Sequence, residues 1–333
     1  MPVDPTNQPP AQRHRPRTFG TLARGATTGE IFGGAGAEIA LPGTYGQPAP
    51  GFRLPAATRL GAVKLRIADL ERSISFYESM LGMRVLEREA ARASLGPQGD
   101  DRVLLELNEQ RGVSPSARKG RLGLYHFAIL LPDRAELGRF DRHLTERGLQ
   151  AGASDHLVSE ALYLSDPDGL GIEVYADRPR DTWKRSGAEL MMATDPLDRN
   201  DLQRAAGGRS WTGMPAGTVM GHVHLHVGDL GQAAAFFSDA MGFDKMVWSY
   251  PGALFLAAGG YHHHLGTNVW AGANARPTRA DEAGLIEWTV ELPDQAGVDA
   301  AAASIERAGY SVGRETGDAV TADPWGTGVR LRA

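Results

Sequence analysis

GAVKLRIADLERSISFYESMLGM (61–83) returns 160 residues later as GHVHLHVGDLGQAAAFFSDAMGF (221–243). Gly61/Gly221, Val63/Val223, Leu65/Leu225, Asp69/Asp229, Leu70/Leu230, Phe76/Phe236 and Gly82/Gly242 coincide. In the first copy, GAVKLRI (61–67) has the β-branched and aliphatic make-up of a strand. ADLERSISFYESMLG (68–82) then places Leu70, Ile74, Phe76, Tyr77 and Leu81 along one helical stripe, with Gly82 as its stop. Two further strands are expected at MRVLERE (83–89) and RVLLELN (102–108), so the unit reads β-α-β-β-β.

A second repeat pair extends the pattern. LYHFAILLPD (124–133) matches LIEWTVELPD (285–294), and DPDGLGIEV (166–174) matches DPWGTGVRL (323–331). Self-similarity at a fixed spacing marks a fold built from repeated units. Four modules follow, at about 58–110, 121–177, 218–271 and 283–333. The expected fold is α+β, with the modules paired in chain order into two domains, 58–178 and 218–333. Residues 179–217 form a linker, in which Asp195-Pro196 is expected to start a short helix and Gly207-Gly208 to end it. Residues 1–57, rich in Gly and Pro, read as an irregular extension. GGAGAE (33–38) lies there without a preceding strand and is discounted as a dinucleotide-binding turn.

Composition narrows the chemistry. The net charge of −5 argues against a nucleic-acid-coating protein. No apolar run is long enough for a membrane span, and the N-terminal stretch has no apolar signal core, so a cytoplasmic protein is expected. With ten His and no Cys, a metal site must use imidazole, carboxylate or water. Six of the ten His fall between His222 and His264.

Modules opening on HVxLxVxDL and closing on DPxGxGIE resemble the vicinal oxygen chelate superfamily of glyoxalases, bleomycin resistance proteins and extradiol dioxygenases. DHLVSEALYLSDPDGLGIEVYADRPRDTW (155–183) and GGYHHHLGTNVW (259–270) are most similar to its two-domain catechol 2,3-dioxygenase-like branch. The resemblance covers about residues 58–333. It implies open, cupped sheets, each made from two modules, around one divalent metal. Ligands come from the first and last strands of a module, and Fe(II) is the expected ion, with Mn, Ni, Co or Zn as alternatives. The ring-cleaving members use two His and one Glu.

Carried over slot by slot, the first half offers Ala62, Glu106, His126 and Glu173. The second half offers His222, His264, Glu287 and Arg330. Ala62 and Arg330 cannot ligate. The favoured set is therefore His222, His264 and Glu287, and the rival set is Glu106, His126 and Glu173. Strand alternation supports the favoured set, because His222, His224 and His226 share one face, and His262 and His264 share another. His262, with His224 as second choice, is the expected acid–base residue. Tyr261 and Trp270 could frame a ring pocket, Asn268 could orient a ligand or hold a turn, and His156 could be a supporting partner or a turn residue. The resemblance implies cleavage of a small aromatic diol with O2, by a protein that binds no nucleic acid or membrane and could form a homodimer. A glyoxalase-type isomerase or lyase, and a non-catalytic resistance-type binder, are the alternatives.

Overall fold

Every module helix starts at an aspartate. The side chains of Asp69, Asp133, Asp229 and Asp294 each accept a hydrogen bond from the backbone N–H three residues on. Each satisfies a donor that the first helical turn leaves unpaired. The helices run Leu70–Leu81, Arg134–Glu146, Leu230–Ala233 and Gln295–Arg307, the third continuing as a wider π turn over Ala234–Ala240. Gly82 closes the first helix in the left-handed region at φ +69°. The computed structural model describes residues 25–34, 36–117 and 119–333.

The order β-α-β-β-β holds in all four modules. Each has an opening strand before its helix: Arg59–Ile67, Arg121–Leu130, Val219–His226 and Gly284–Glu291. Each also has a closing strand: Leu105–Glu109, Gly171–Asp177, Leu265–Asn268 and Gly328–Arg332. Within a module, the closing strand lies parallel beside the opening strand.

The pairing of modules differs from the expectation. Consecutive modules do not share a sheet. The opening strands of modules 2 and 3 pair antiparallel, His224 opposite His126 and His222 opposite Ala128. Those of modules 1 and 4 pair in the same way, Lys64 opposite Glu287. One nine-stranded sheet therefore holds modules 2 and 3, and one eight-stranded sheet holds modules 1 and 4. The boundaries 58–178 and 218–333 each cut across both sheets. Opening strands of similar length and apolar pattern can pair in more than one way. The partner is settled only when the complete arrangement packs.

One continuous core spans both sheets, including Phe127, Phe140, Phe236, Phe237, Phe243 and Trp288. Burying such a side chain contributes roughly 1.5–3 kcal/mol. The linker helix forms at Arg199–Ala205, later than expected, and its cap is Asp198. Asp195 has another task. Its carboxylate accepts from Thr28 N–H (3.0 Å) and Thr28 Oγ1–H (2.6 Å). Of the segment expected to be irregular, residues 1–24 lie outside the described residues. The remainder includes the helix Thr28–Phe32 and a short strand, Glu38–Ile39. Among the described residues, no helix is long and apolar enough to cross a membrane.

Candidate metal centre

The 2/3 pairing unites residues that the sequence had divided between rival sets. His126 on the opening strand of module 2 and Glu173 on its closing strand meet His222 on the opening strand of module 3. One ligand atom from each lies within 4.8 Å of the others. His126 Nε2 is 3.0 Å and His222 Nε2 is 3.3 Å from the same oxygen, Glu173 Oε2. All three side chains are almost fully buried. Among the described residues, neither His126 Nδ1 nor His222 Nδ1 has a hydrogen-bonding partner. Orphaned buried polar atoms are costly, so two imidazoles and a carboxylate converging on one point in this state fit a cation.

Electrostatics agree with that fit. Burial pushes His222 down to about 4, against the opposing pull of Glu173. Burial would raise Glu173, but the neighbouring His222 and His126 outweigh it and hold the carboxyl well below its usual range. At neutral pH the cluster is a carboxylate with an unprotonated His222, the form that binds metal.

The fourth slot is glycine. Val223 pairs with Leu265 and His224 with Gly266, as Val63 pairs with Leu105 and Lys64 with Glu106. The residue of module 3 that corresponds to Glu106 is therefore Gly266. His264 precedes it by two residues. A Cβ at Gly266 would lie 2.9 Å from the His224 ring. The missing side chain makes room for that imidazole beside the cluster.

The expected ligands His264 and Glu287 are not brought to this point. His264 is buried near Tyr261 and Phe243, and its Nδ1 accepts from Ala258 N–H at 3.2 Å. Glu287 lies in the other sheet, bonded to Arg330 at 2.8 Å and near Lys64 at 3.5 Å. Glu106 is there too, 3.3 Å from Lys64. Of the rival set, His126 and Glu173 belong to the cluster and Glu106 does not.

The triplet His262–His264 also departs from expectation. Tyr261–His264 lie outside any strand, with bends at His262 and His264, so alternation does not govern their directions. His263 lines the cavity at the cluster, its ring centroid 4.0 Å from that of His222. His262, the expected acid–base residue, stands behind it. Its Nε2–H donates to Asp177 Oδ1 (2.9 Å), and its Nδ1 accepts from His263 Nδ1–H (2.7 Å). That arrangement leaves His263 Nε2 as the unprotonated nitrogen. Burial holds His263 and His224 well below the usual imidazole range.

A cavity of about 60 Å³ adjoins the cluster, lined by Tyr125, Tyr163, Phe255, Trp270, His224 and His263 among others. Asn268 orients His224. Its Nδ2–H donates to His224 Nε2 (2.9 Å), while its Oδ1 accepts from His226 Nδ1–H (2.6 Å) and Trp270 N–H (3.0 Å). His156 is a supporting partner, bonded to Tyr163 Oη (2.5 Å) and the Ala193 carbonyl (2.7 Å). Tyr261 is separated from the cavity, its hydroxyl donating to Asp177. The cavity residues not singled out from the sequence include His263, Tyr125, Tyr163, Tyr250 and Thr194. The HHH run signalled His263, but only its neighbours were read as inward-facing.

Comparison with known proteins agrees with this architecture. The Glyoxalase/Bleomycin resistance protein/Dioxygenase superfamily model matches residues 59–174 and 219–327. A catechol-2,3-dioxygenase of Bacillus subtilis (strain 168) is 49% identical over 258 residues, covering 77% of this chain and 90% of that protein. A lactoylglutathione lyase of Haemophilus influenzae is 34% identical over 124 residues, 33% of this chain and 85% of that one. A crystal structure from Bacillus subtilis strain 168, whose own assignment as a dioxygenase is provisional, superposes with a TM-score of 0.57. It is 12% identical and covers 84% of this chain and 86% of that chain, a likeness of fold.

Proposed function

Because the chain belongs to the glyoxalase/bleomycin resistance/dioxygenase superfamily, we propose that it is a metal-dependent extradiol dioxygenase that opens a catechol-like ring with O2. The observation that carries this reading is the His126–Glu173–His222 cluster beside a cavity with aromatic walls. The 49% identity to a catechol-2,3-dioxygenase supports the reaction class. The chemistry of the donor set favours Fe(II), since two His and one carboxylate with open positions suit non-haem iron oxygenases. A bound divalent ion would supply Lewis acidity and a common site for diol and O2.

The chain's own residues have distinct tasks. His126, His222 and Glu173 would hold the ion. Tyr125, Phe255 and Trp270 give the cavity aromatic walls for a flat ring, and the water that a bound ring displaces would strengthen the local electrostatics. Holding the diol beside the reacting centre removes much of the entropic barrier. His263 is neutral, with Nε2 free to accept the proton released as a diol hydroxyl ionises. His262 and Asp177 behind it fix its tautomer. His224, held by Asn268, is a second polar group beside the ring.

The test is anaerobic loading with Fe(II), then O2 uptake and the yellow ring-fission product with a panel of catechols. Stoichiometric metal with no turnover across the panel would reject the reading. Turnover of a hemithioacetal with Ni, Co or Zn, and no O2 use, would transfer the protein to the glyoxalase chemistry of its partial relatives.

A further inference from the structure

The metal-binding candidates come from the repeated modules, but one wall of the cavity does not. Gly25, Met192, Ala193 and Thr194 line it, and all four lie outside the stretches that match the superfamily model. The wall is a clasp made of two added segments. Thr194 N–H donates to the Ala26 carbonyl at 2.9 Å. Ala26 N–H donates to Tyr250 Oη at 2.9 Å, and that hydroxyl lies 2.8 Å from Thr194 Oγ1. Just beyond, the Asp195 carboxylate takes both the backbone and the side-chain hydrogen of Thr28, at the start of the helix Thr28–Phe32. Ala26 and Ile31 pack on the cluster that includes Tyr250 and Phe255.

The fit at the wall is close. A Cβ at Gly25 would lie 2.3 Å from Thr194 Oγ1, so no side chain fits there without movement. Behind this wall the cavity holds about 60 Å³, room for on the order of four to six waters. A second ring placed on the side of Gly25 and Thr194 would have to occupy the space that this wall fills.

We infer that the Gly25–Phe32 clasp, latched by Asp195, is the size filter of this site and restricts it to single-ring diols. The inference rests on the catechol reading above. The common fold supplies the reacting centre, and the added segments decide what reaches it. Binding discrimination of this steric kind is worth roughly 10–200-fold.

The experiment uses full-length protein loaded with Zn(II), which binds ligand without turnover. Catechol and 3-phenylcatechol are titrated against tryptophan fluorescence, since Trp270 lines the cavity. The variants are Asp195→Ala and the milder Thr28→Val, with hydrogen exchange over residues 25–33 reporting whether the clasp is released. Release should tighten 3-phenylcatechol binding by at least about 10-fold and change catechol binding by less than about 3-fold. Release with an unchanged ratio overturns the filter, and so does failure of both variants to release the segment. Binding of neither diol to any form would reject the catechol reading itself, and with it a filter for diols.

Discussion

The two sheets are two versions of one cup. In the sheet of modules 2 and 3, the positions facing the centre carry His126, Glu173, His222 and Gly266. In the sheet of modules 1 and 4, the corresponding positions carry Glu287, Arg330, Ala62 and Glu106, and Lys64 stands where His224 does. The first cup gathers two imidazoles around one carboxylate with no cationic side chain among them, a set that fits a cation. The second brings its own cations. Lys64 lies between Glu106 and Glu287, and Arg330 ties Glu287 to Glu315 and Asp318. The same backbone frame can serve as a candidate metal centre or as a self-neutralised ion-pair network, depending on a few side chains.

The largest expected difference between the cups is in turnover. His126→Ala or Glu173→Ala should abolish it, a loss of at least about 1,000-fold after Fe(II) loading, as removal of a direct ligand demands. Glu106→Ala and Glu287→Ala should leave it within about 2-fold. Steady-state O2 uptake reads both. Loss of turnover in Glu287→Ala with retention in His126→Ala would reverse the assignment of the cups.

A smaller effect separates the members of the HHH run. His263→Asn should lower kcat by about 10–100-fold with metal content unchanged, as expected for a group that moves a proton beside the reacting centre. His264→Asn should have little effect on kcat, because His264 lies away from the cavity. Stopped-flow turnover with metal quantified in the same samples distinguishes them.

Acid should reach the first cup before the second. Burial lowers His222 to about 4 and His264 to about 3, and also depresses His224, His226 and His263. Below about pH 6.5 the unfolded chain takes up protons that the folded chain refuses, so stability must fall as pH drops from 6.5 towards 4. The Tm of the metal-free protein should follow that course. Replacing His224 by Gln should flatten it.

The smallest effect is in the second cup. Lys64→Met leaves Glu106 and Glu287 without their shared ammonium, but the pairs are partly exposed. The expected cost is about 0.5–1 kcal/mol, a Tm change of about 1 °C. Added salt should reduce it.

The repeat made most of the fold legible. The motifs beginning at Asp69 and Asp229 and the paired LPD turns disclose four modules, and the first helix, expected within 68–82, runs Leu70–Leu81. The pairing of modules was not legible, because the opening strands of all four carry similar patterns and their partners lie far off in sequence. That one gap divided the cluster. His126 and Glu173 lie in one half of the chain and His222 in the other, so an assumption of two self-contained halves separates them. The other difference is local. Matching HHLG (263–266) to LELN (105–108) put His264 in the ligand slot, while the strand register puts Gly266 there. A glycine offers no chemical signal in a sequence, and the irregular backbone over Tyr261–His264 removes the alternation that would predict side-chain directions.

The most direct test of the account is the metal content of the purified protein and of two variants, His126→Ala and His264→Ala, after identical anaerobic Fe(II) loading and desalting. One ion per chain is expected in the parent protein, close to none in His126→Ala, and one in His264→Ala. Retention of the ion by His126→Ala with its loss from His264→Ala would contradict this.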